Sequence, residues 1–425
     1  MPLTILHVSQ PVDGGVARVV VDLLRAQAAA GHRVLLACPA DGPLAGAAAA
    51  AGATVLSWAA VRSPGAGLPG EVRTLRALVA GSRPDLVHLH SSKAGLAGRL
   101  ALRGAVPTVF QPHAWSFAAV GGPMRLLSRR WERLAARWTD RLLCVSEAER
   151  AEGVAAGLRG TWALAPNGVD LERFDPVRLP LQEQARELLG LTAAGAAPDA
   201  PAGARADGRA DGPLAVCVGR LCRQKGQDVL LRAWGPVPER VPGARLVLVG
   251  EGPERVALEA LAATLPYPAS VLFAGPAEDP RDWYAAADLL VLPSRWEGMA
   301  LVPLEAMACG CPVLLTEVSG ARECLDRGES PVPVDDPEAL REALVARLAD
   351  PVGCLAAGAR ARSRMVERHD VRDTAAGVAA VYRSVLDERT VPGPVQSSGP
   401  APVLEPVSGV GATKSPGRMT SGKSD

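Results

Sequence analysis

Short apolar runs punctuated by glycine and polar residues recur at 3–8, 33–37, 54–56, 86–89, 108–110 and 142–145. Between them apolar residues return every three or four positions, over 16–30, 71–79 and 124–138 for example, which is the period of an amphipathic helix. Runs this apolar predict strands buried in a parallel sheet with helices on both faces. Asn167-Gly168 marks a turn, and 171–174 leads out of the unit. From 193 to 213 the chain is Ala, Gly, Pro, Asp and Arg without period, which predicts a flexible loop. The alternation then restarts, with strands at 214–218, 245–249, 271–273, 289–292 and 313–315 and closing helices at 337–349, 354–368 and 371–386. Residues 391–425, rich in Pro, Gly and Ser, predict a disordered tail. The fold class is therefore α/β: two doubly wound, Rossmann-like domains, 1–175 and 176–370, facing across a cleft. Ligands in such sheets bind beyond the carboxyl ends of the strands, so that cleft is the expected site.

Composition changes this picture in a few places. With 46 Lys plus Arg against 45 Asp plus Glu, the chain lacks the basic footprint of a nucleic-acid binder. Arginine is its ordinary base; lysine occurs only at 93, 225, 414 and 423, which singles out Lys225. Residues 42–61 carry no charge, but Pro43 and Ala51-Gly52-Ala53 predict a short helix, a turn and a strand rather than a membrane span. The first residues show no basic, signal-like region, and none of the eight cysteines forms a CxxC pair. A cytoplasmic protein with reduced thiols follows, with Cys309 and Cys311 as small buried residues.

Several loops beyond strand ends carry chemistry. Asp13-Gly14-Gly15 opens a helix after the first strand, where glycines admit an anion or simply make a tight turn. Gly219-Arg220 and Lys225-Gly226 place two cations beyond another strand, suited to a diphosphate or to open solvent. Gly250-Glu251-Gly252 follows a strand, but Arg255 breaks a dinucleotide fingerprint. In the run 294–313, Glu297 lies in a loop and Glu305 about a turn into the following helix, whose first turn accepts Pro303. The amides of Gly298, Met299, Ala300 and Leu301 point into the same place. One carboxylate suits sugar hydroxyls and the other a ribose; two solvated glutamates at a helix start are the alternative. His113 follows a strand end, whereas His88 and His90 suit structural roles. The stretch 124–143 carries Arg125, Arg129, Arg130, Arg133, Arg137 and Arg141 with Trp131 and Trp138. Its expected form is a helix with Trp and Leu toward the core and Arg toward water; lying on anionic lipid is the alternative.

Glu297-x7-Glu305, within Glu-Gly-Met-Ala-Leu-x-Pro-Leu-Glu-Ala-Met-Ala-Cys-Gly-Cys-Pro, resembles the signature of retaining glycosyltransferases of family 4, which have the two-domain GT-B fold. The likeness extends in order through Asp13-Gly-Gly, Pro112-His113-Ala-Trp, Val145-Ser146-Glu, Pro166-Asn-Gly-Val-Asp170, Val218-Gly-Arg-Leu221, Gln224-Lys-Gly226, Val249-Gly-Glu-Gly-Pro253 and Ala286-Ala-Asp288. It implies a retaining enzyme that moves a sugar from a nucleotide-diphosphate donor to an acceptor hydroxyl. The acceptor would be a lipid-linked or other glycan of surface polysaccharide, or a soluble small molecule. Arg220 and Lys225 would hold the diphosphate, Glu305 the ribose, and Glu297 with the 298–301 amides the donor sugar. Gly14 and Gly15 would approach from the opposite domain, Gly219, Gly250 and Glu251 would belong to the donor site, and His113 would contact the transferred sugar. The helix 371–390 would return to the first domain, and 124–143 would supply any peripheral contact with the inner face of the membrane. No Asp-x-Asp pair is present, so neither metal nor cofactor is expected. An NAD-dependent oxidoreductase or epimerase would need GxGxxG with a ribose-binding acid and usually a Tyr-x3-Lys pair, and no Tyr-x3-Lys pair is present. A non-catalytic sugar-nucleotide module would have little use for intact Glu297, Glu305, Arg220 and Lys225.

Overall fold

The computed structural model describes residues 2–192, 212–326 and 328–390. All but the last two residues of the expected 193–213 loop, and the whole expected tail, lie outside them. The first sheet has seven parallel strands: β1 (Thr4–Ser9), β2 (Arg33–Cys38), β3 (Thr54–Ser57), β4 (Leu86–His90), β5 (Thr108–Gln111), β6 (Arg141–Cys144) and β7 (Trp162–Leu164), in the order β3-β2-β1-β4-β5-β6-β7. The second has five: β8 (Leu214–Val218), β9 (Arg245–Val249), β10 (Val271–Gly275), β11 (Leu289–Leu292) and β12 (Val313–Leu315), ordered β10-β9-β8-β11-β12. In each sheet the order reverses beside the first strand, so a crevice opens at β1/β4 and another at β8/β11. The charge-free stretch forms the helix Pro43–Ala50 and β3.

The strands are continuous apolar runs because helices cover both faces; every residue of β4, β5, β6 and β11 is buried. One hydrophobic cluster joins Ile5 and Val19 of the first domain to Met299 and Leu301 of the second and to Val378 and Tyr382 near the end of the chain. That last helix, Val371–Thr390, lies on the first domain, with Glu388 2.6 Å from Arg141 and Arg389 2.8 Å from Asp140. Just before it, the chain runs beside the segment that follows β7: the Val169 amide donates to the His369 carbonyl at 2.8 Å. The helix Gln182–Leu188 already belongs to the second domain, where Arg186 pairs with Asp288 at 2.7 Å.

The basic segment differs from expectation. It is the helix Gly122–Ala135, finished by a 3-10 turn at Ala136–Trp138. Its inward face carries the Glu132 carboxylate beside Trp131 and Ala135, while Met124, Leu126 and Leu127 are 58%, 52% and 58% exposed. The cause is Arg99, which is fully buried beneath it. A buried guanidinium needs a carboxylate, and Glu132 supplies one at 2.7 Å, which turns that face inward and the leucines outward.

Candidate active site

The second domain's half is built by loops after β8 and β11. Gly219 leaves β8, and the loop after β9 packs on it so closely that a Cβ on Gly250 would stand 2.0 Å from the Gly219 carbonyl oxygen. The structure thus gives Gly250 a packing reason, and Glu251 points away to an exposed pair with Arg255 at 2.7 Å. Arg220 follows, partly exposed, its carbonyl taking the Gln227 side-chain amide at 3.0 Å. The 3-10 turn Arg223–Lys225 brings Lys225 Nζ to 2.7 Å from Glu297 Oε1, which also accepts from Ser294 Oγ at 2.8 Å. The loop cation and the loop carboxylate therefore form one unit.

The Glu297 loop is held from the first domain. Ser146 Oγ donates to the Gly298 carbonyl at 3.0 Å, and Asn167 Nδ2 donates to the Met299 carbonyl at 2.7 Å. A trans peptide directs its N–H opposite to its C=O, so these anchors turn the Met299 and Ala300 amides to the other side of the loop. Among the described residues, none accepts from the amides of Gly298, Met299, Ala300 or Leu301. Gly298 must be glycine, because a Cβ there would meet Glu149 Oε1 and the His113 carbonyl carbon at 2.9 Å.

Glu305 lies in the helix Leu301–Ala308, only 2% exposed. One oxygen accepts from Tyr284 at 2.8 Å; the other pairs with Arg18, from the first domain's helix Gly14–Ala29. Gly14 opens that helix, and a Cβ on Gly15 would lie 3.8 Å from Leu301 across the cleft. Burial, and then the Arg220 charge, hold the Arg62 guanidinium below its ordinary pKa.

His113 is placed two residues beyond β5 with φ at 54°, and Glu149 fixes the next residue by accepting the Ala114 amide at 2.7 Å and the Val145 amide at 2.9 Å. Burial pushes the Glu149 carboxyl up to about 7 against these two hydrogen bonds. His90 joins His113 at 3.1 Å, His7 joins His90 at 2.9 Å, and His88 meets the Tyr382 hydroxyl at 2.6 Å. The nitrogens of His7, His88 and His90 lie within 4.8 Å of one another, close enough to consider a metal. Both nitrogens of His7 and of His90 are instead engaged in hydrogen bonds.

A family model described as glycosyltransferase family 4 matches residues 13–173, and one described as glycosyl transferases group 1 matches 212–350. The GDP-mannose-dependent alpha-(1-6)-phosphatidylinositol monomannoside mannosyltransferase of Mycolicibacterium smegmatis is 33% identical over 308 residues, 69% of this chain and 75% of the relative. The chain belongs to glycosyltransferase family 4. Another similar protein, a lipopolysaccharide core biosynthesis mannosyltransferase of Rhizobium meliloti, is 32% identical over 52% of this chain, which spans 60% of that relative's length. The solved structure of Anabaena HepE with UDP and glucose superposes with a TM-score of 0.73 at 22% identity, covering 90% of this chain and all of that one. The glycosyltransferase thus has the GT-B arrangement of two facing Rossmann-like domains.

In this glycosyltransferase, Arg220, Lys225, Glu297, Glu305 and the 298–301 loop share the cleft with His113 and Gly15. Spacing alone did not reveal Arg18, Tyr284, Glu149, Ser146 or Asn167 as parts of the site. Two of these had a signal: Ser146 and Asn167 lie inside motifs of the family likeness, each just beyond a strand end.

Proposed function

We propose that this glycosyltransferase moves a sugar, with retention of anomeric configuration, from a nucleotide-diphosphate donor to a hydroxyl of a lipid-linked or other glycan at a membrane surface. The observation that carries this reading is the joined Lys225–Glu297 unit beside Arg220 and the unpartnered 298–301 amides. Cleavage of the donor puts negative charge on the diphosphate and positive charge on the sugar. Arg220 and Lys225 suit the first, and the Glu297 carboxylate suits the second. The amides add fixed donors at a helix start. The interdomain contacts of Ser146, Asn167 and Arg18 exclude water that would hydrolyse the donor. The names of the two relatives, which refer to a phosphatidylinositol glycan and to lipopolysaccharide, support an acceptor carried on lipid. The exposed leucines and arginines of the helix Gly122–Ala135 support docking at its surface. Among the described residues, no helix is long and apolar enough to cross a membrane.

A thermal-shift panel of UDP-, GDP-, ADP- and TDP-sugars tests the donor class, since a ligand of the native state raises the melting temperature. One base is expected to stand out, and the product formed from that donor should keep its anomeric configuration by NMR. Absence of any nucleotide shift, or an inverted product, overturns the reading.

A further inference from the structure

We propose that Gln27, His7 and His90 are positioning residues that hold His113 as the Nε2–H tautomer, so that its other nitrogen, Nδ1, recognises a hydroxyl of the donor sugar as a hydrogen-bond acceptor. The recognition step rests on the reading that His113 faces that sugar; the tautomer does not.

The chain of contacts follows from register. His7 of β1 pairs with His88 of β4, Ser9 with His90, and His90 with Gln111 of β5. Side chains alternate along a strand, so His7, His88 and His90 share one face, and His113 lies two residues past Gln111. Gln27, from the helix Gly14–Ala29 above that face, places Oε1 2.8 Å from His7 Nε2. His7 Nδ1 is 2.9 Å from His90 Nε2, and His90 Nδ1 is 3.1 Å from His113 Nε2.

A neutral imidazole has one N–H and one lone pair. Burial lowers the His7 pKa to about 4 and that of His113 to about 3, and it holds His90 well below its ordinary value, so all three rings are neutral near pH 7. In a row of neutral rings each must donate on one side and accept on the other. One end therefore fixes every member. With Gln27 Nε2 turned to the Tyr382 hydroxyl, 3.5 Å away, Oε1, an acceptor only, is the atom left for His7. His7 then donates from Nε2 and accepts at Nδ1. His90 donates from Nε2 and accepts at Nδ1. His113 donates from Nε2, and its Nδ1 carries the lone pair. Among the described residues, none hydrogen-bonds His113 Nδ1, and it is not one of the sealed unpartnered atoms. A lone pair there selects a group that brings a proton, such as a sugar hydroxyl, over an ether or a fluorine.

Nitrogen-15 spectra of the histidine rings in the full chain read the tautomer directly, and Gln27 offers two opposed variants. Gln27→Glu can only accept when ionised, so at a pH above its titration it keeps the direction of the row, although a buried carboxylate lowers the melting temperature. Gln27→Leu is apolar and of similar size, so it keeps the melting temperature nearer wild type but frees the row to reverse. The expected result is Nε2–H at His113 in wild type and Gln27→Glu, and mixed tautomers in Gln27→Leu. Turnover should fall about tenfold or more in Gln27→Leu, the scale on which an outer partner of a functional imidazole acts, and by clearly less in Gln27→Glu. A packing role would rank activity with stability, and so reverse that order. Wild-type His113 protonated on Nδ1, activity that tracks melting temperature in both variants, or zinc-dependent shifts of the His7 and His90 resonances would each overturn the assignment. Should the tautomers behave as expected while His113→Ala keeps full turnover, the placement of the sugar fails and the tautomer assignment stands.

Discussion

Arg18 of the first domain and Glu305 of the second form an ion pair across the cleft, with Tyr284 on the second carboxylate oxygen at 2.8 Å. Glu305 is 2% exposed and Arg18 33%. Removing Arg18 strands a buried carboxylate, which costs more than the pair itself contributes. Arg18→Ala should therefore lower stability by about 1–3 kcal/mol, less than a fully buried pair because Arg18 is partly solvated. Adding Glu305→Gln should restore part of that loss, since no charge is left to bury. Denaturant melts of both variants check this; equal losses would show that the domains are not held by this pair.

Which parts of this arrangement the sequence displayed follows from how local each one is. Glu305 stands in a dense motif at fixed spacing from Glu297, so it was legible. Arg18 is one arginine among many, and only the closed cleft gives it a partner 287 residues away. The histidine row depends on the strand order β1-β4-β5 and on register, joining residues as far as 83 apart. His88 and His90 are buried in the strand where the sequence set them, but nothing local tied His7 to them. The alternating runs announced eleven strands; β7 escaped because its three residues are partly or largely exposed rather than a buried run, unlike the equally short β12. The helix Gly122–Ala135 was legible as a helix but not in its facing, because the buried Arg99 that orients it lies 33 residues from Glu132.

The Lys225–Glu297 unit separates binding from turnover. Glu297→Gln should cut turnover by orders of magnitude and leave nucleotide affinity largely intact, whereas Glu305→Ala should weaken the nucleotide. Arg220→Ala or Lys225→Ala should cost about 10²-fold or more in rate, the scale for one fixed charge-stabilising donor. With these cations at the diphosphate, activity should persist in EDTA. Initial rates and nucleotide titrations decide the matter; a strict divalent requirement with mild effects at Arg220 and Lys225 would overturn the clamp.

Acid should unfold this protein early. His7, His88 and His90 are fully buried, and burial lowers all three pKa values, that of His7 to about 4. The unfolded chain binds those protons below about pH 6.5 and the folded chain does not, so stability falls as pH falls from there toward 4. Each proton is worth about 1.4 kcal/mol per pH unit, or about 4 for three rings. Glu149 acts with the opposite sign. Its carboxyl, raised to about 7, binds a proton in the folded state first, so its contribution is full below the ordinary carboxylate range and is lost as pH rises to 7. Glu149→Gln should therefore steepen the acid slope by about one proton. Urea melts between pH 7 and 5 measure it; a flat profile would mean that the rings are charged in the fold.

The helix Gly122–Ala135 presents Met124, Leu126 and Leu127 to solvent, 58%, 52% and 58% exposed, with Arg125, Arg130 and Arg137 exposed on the same segment. Apolar side chains beside cations suit an anionic lipid surface, where each basic residue is worth about 1 kcal/mol. Vesicles containing anionic lipid should sediment the protein, neutral vesicles should do so weakly, and high salt should release it. Replacing Arg125, Arg130 and Arg137 with Glu removes about 3 kcal/mol of attraction, so partitioning should fall at least a hundredfold. Arg129 is left in place because its guanidinium lies 5.5 Å above the Phe117 ring, and Arg133 because it donates to the Ala156 carbonyl at 2.6 Å. Leu126→Ser with Leu127→Ser should weaken binding even at high salt, without lowering the melting temperature, since neither leucine packs in the core. Vesicle binding that persists through both sets of changes would place the contact elsewhere on the chain, and no binding at low salt would point to an acceptor taken from solution.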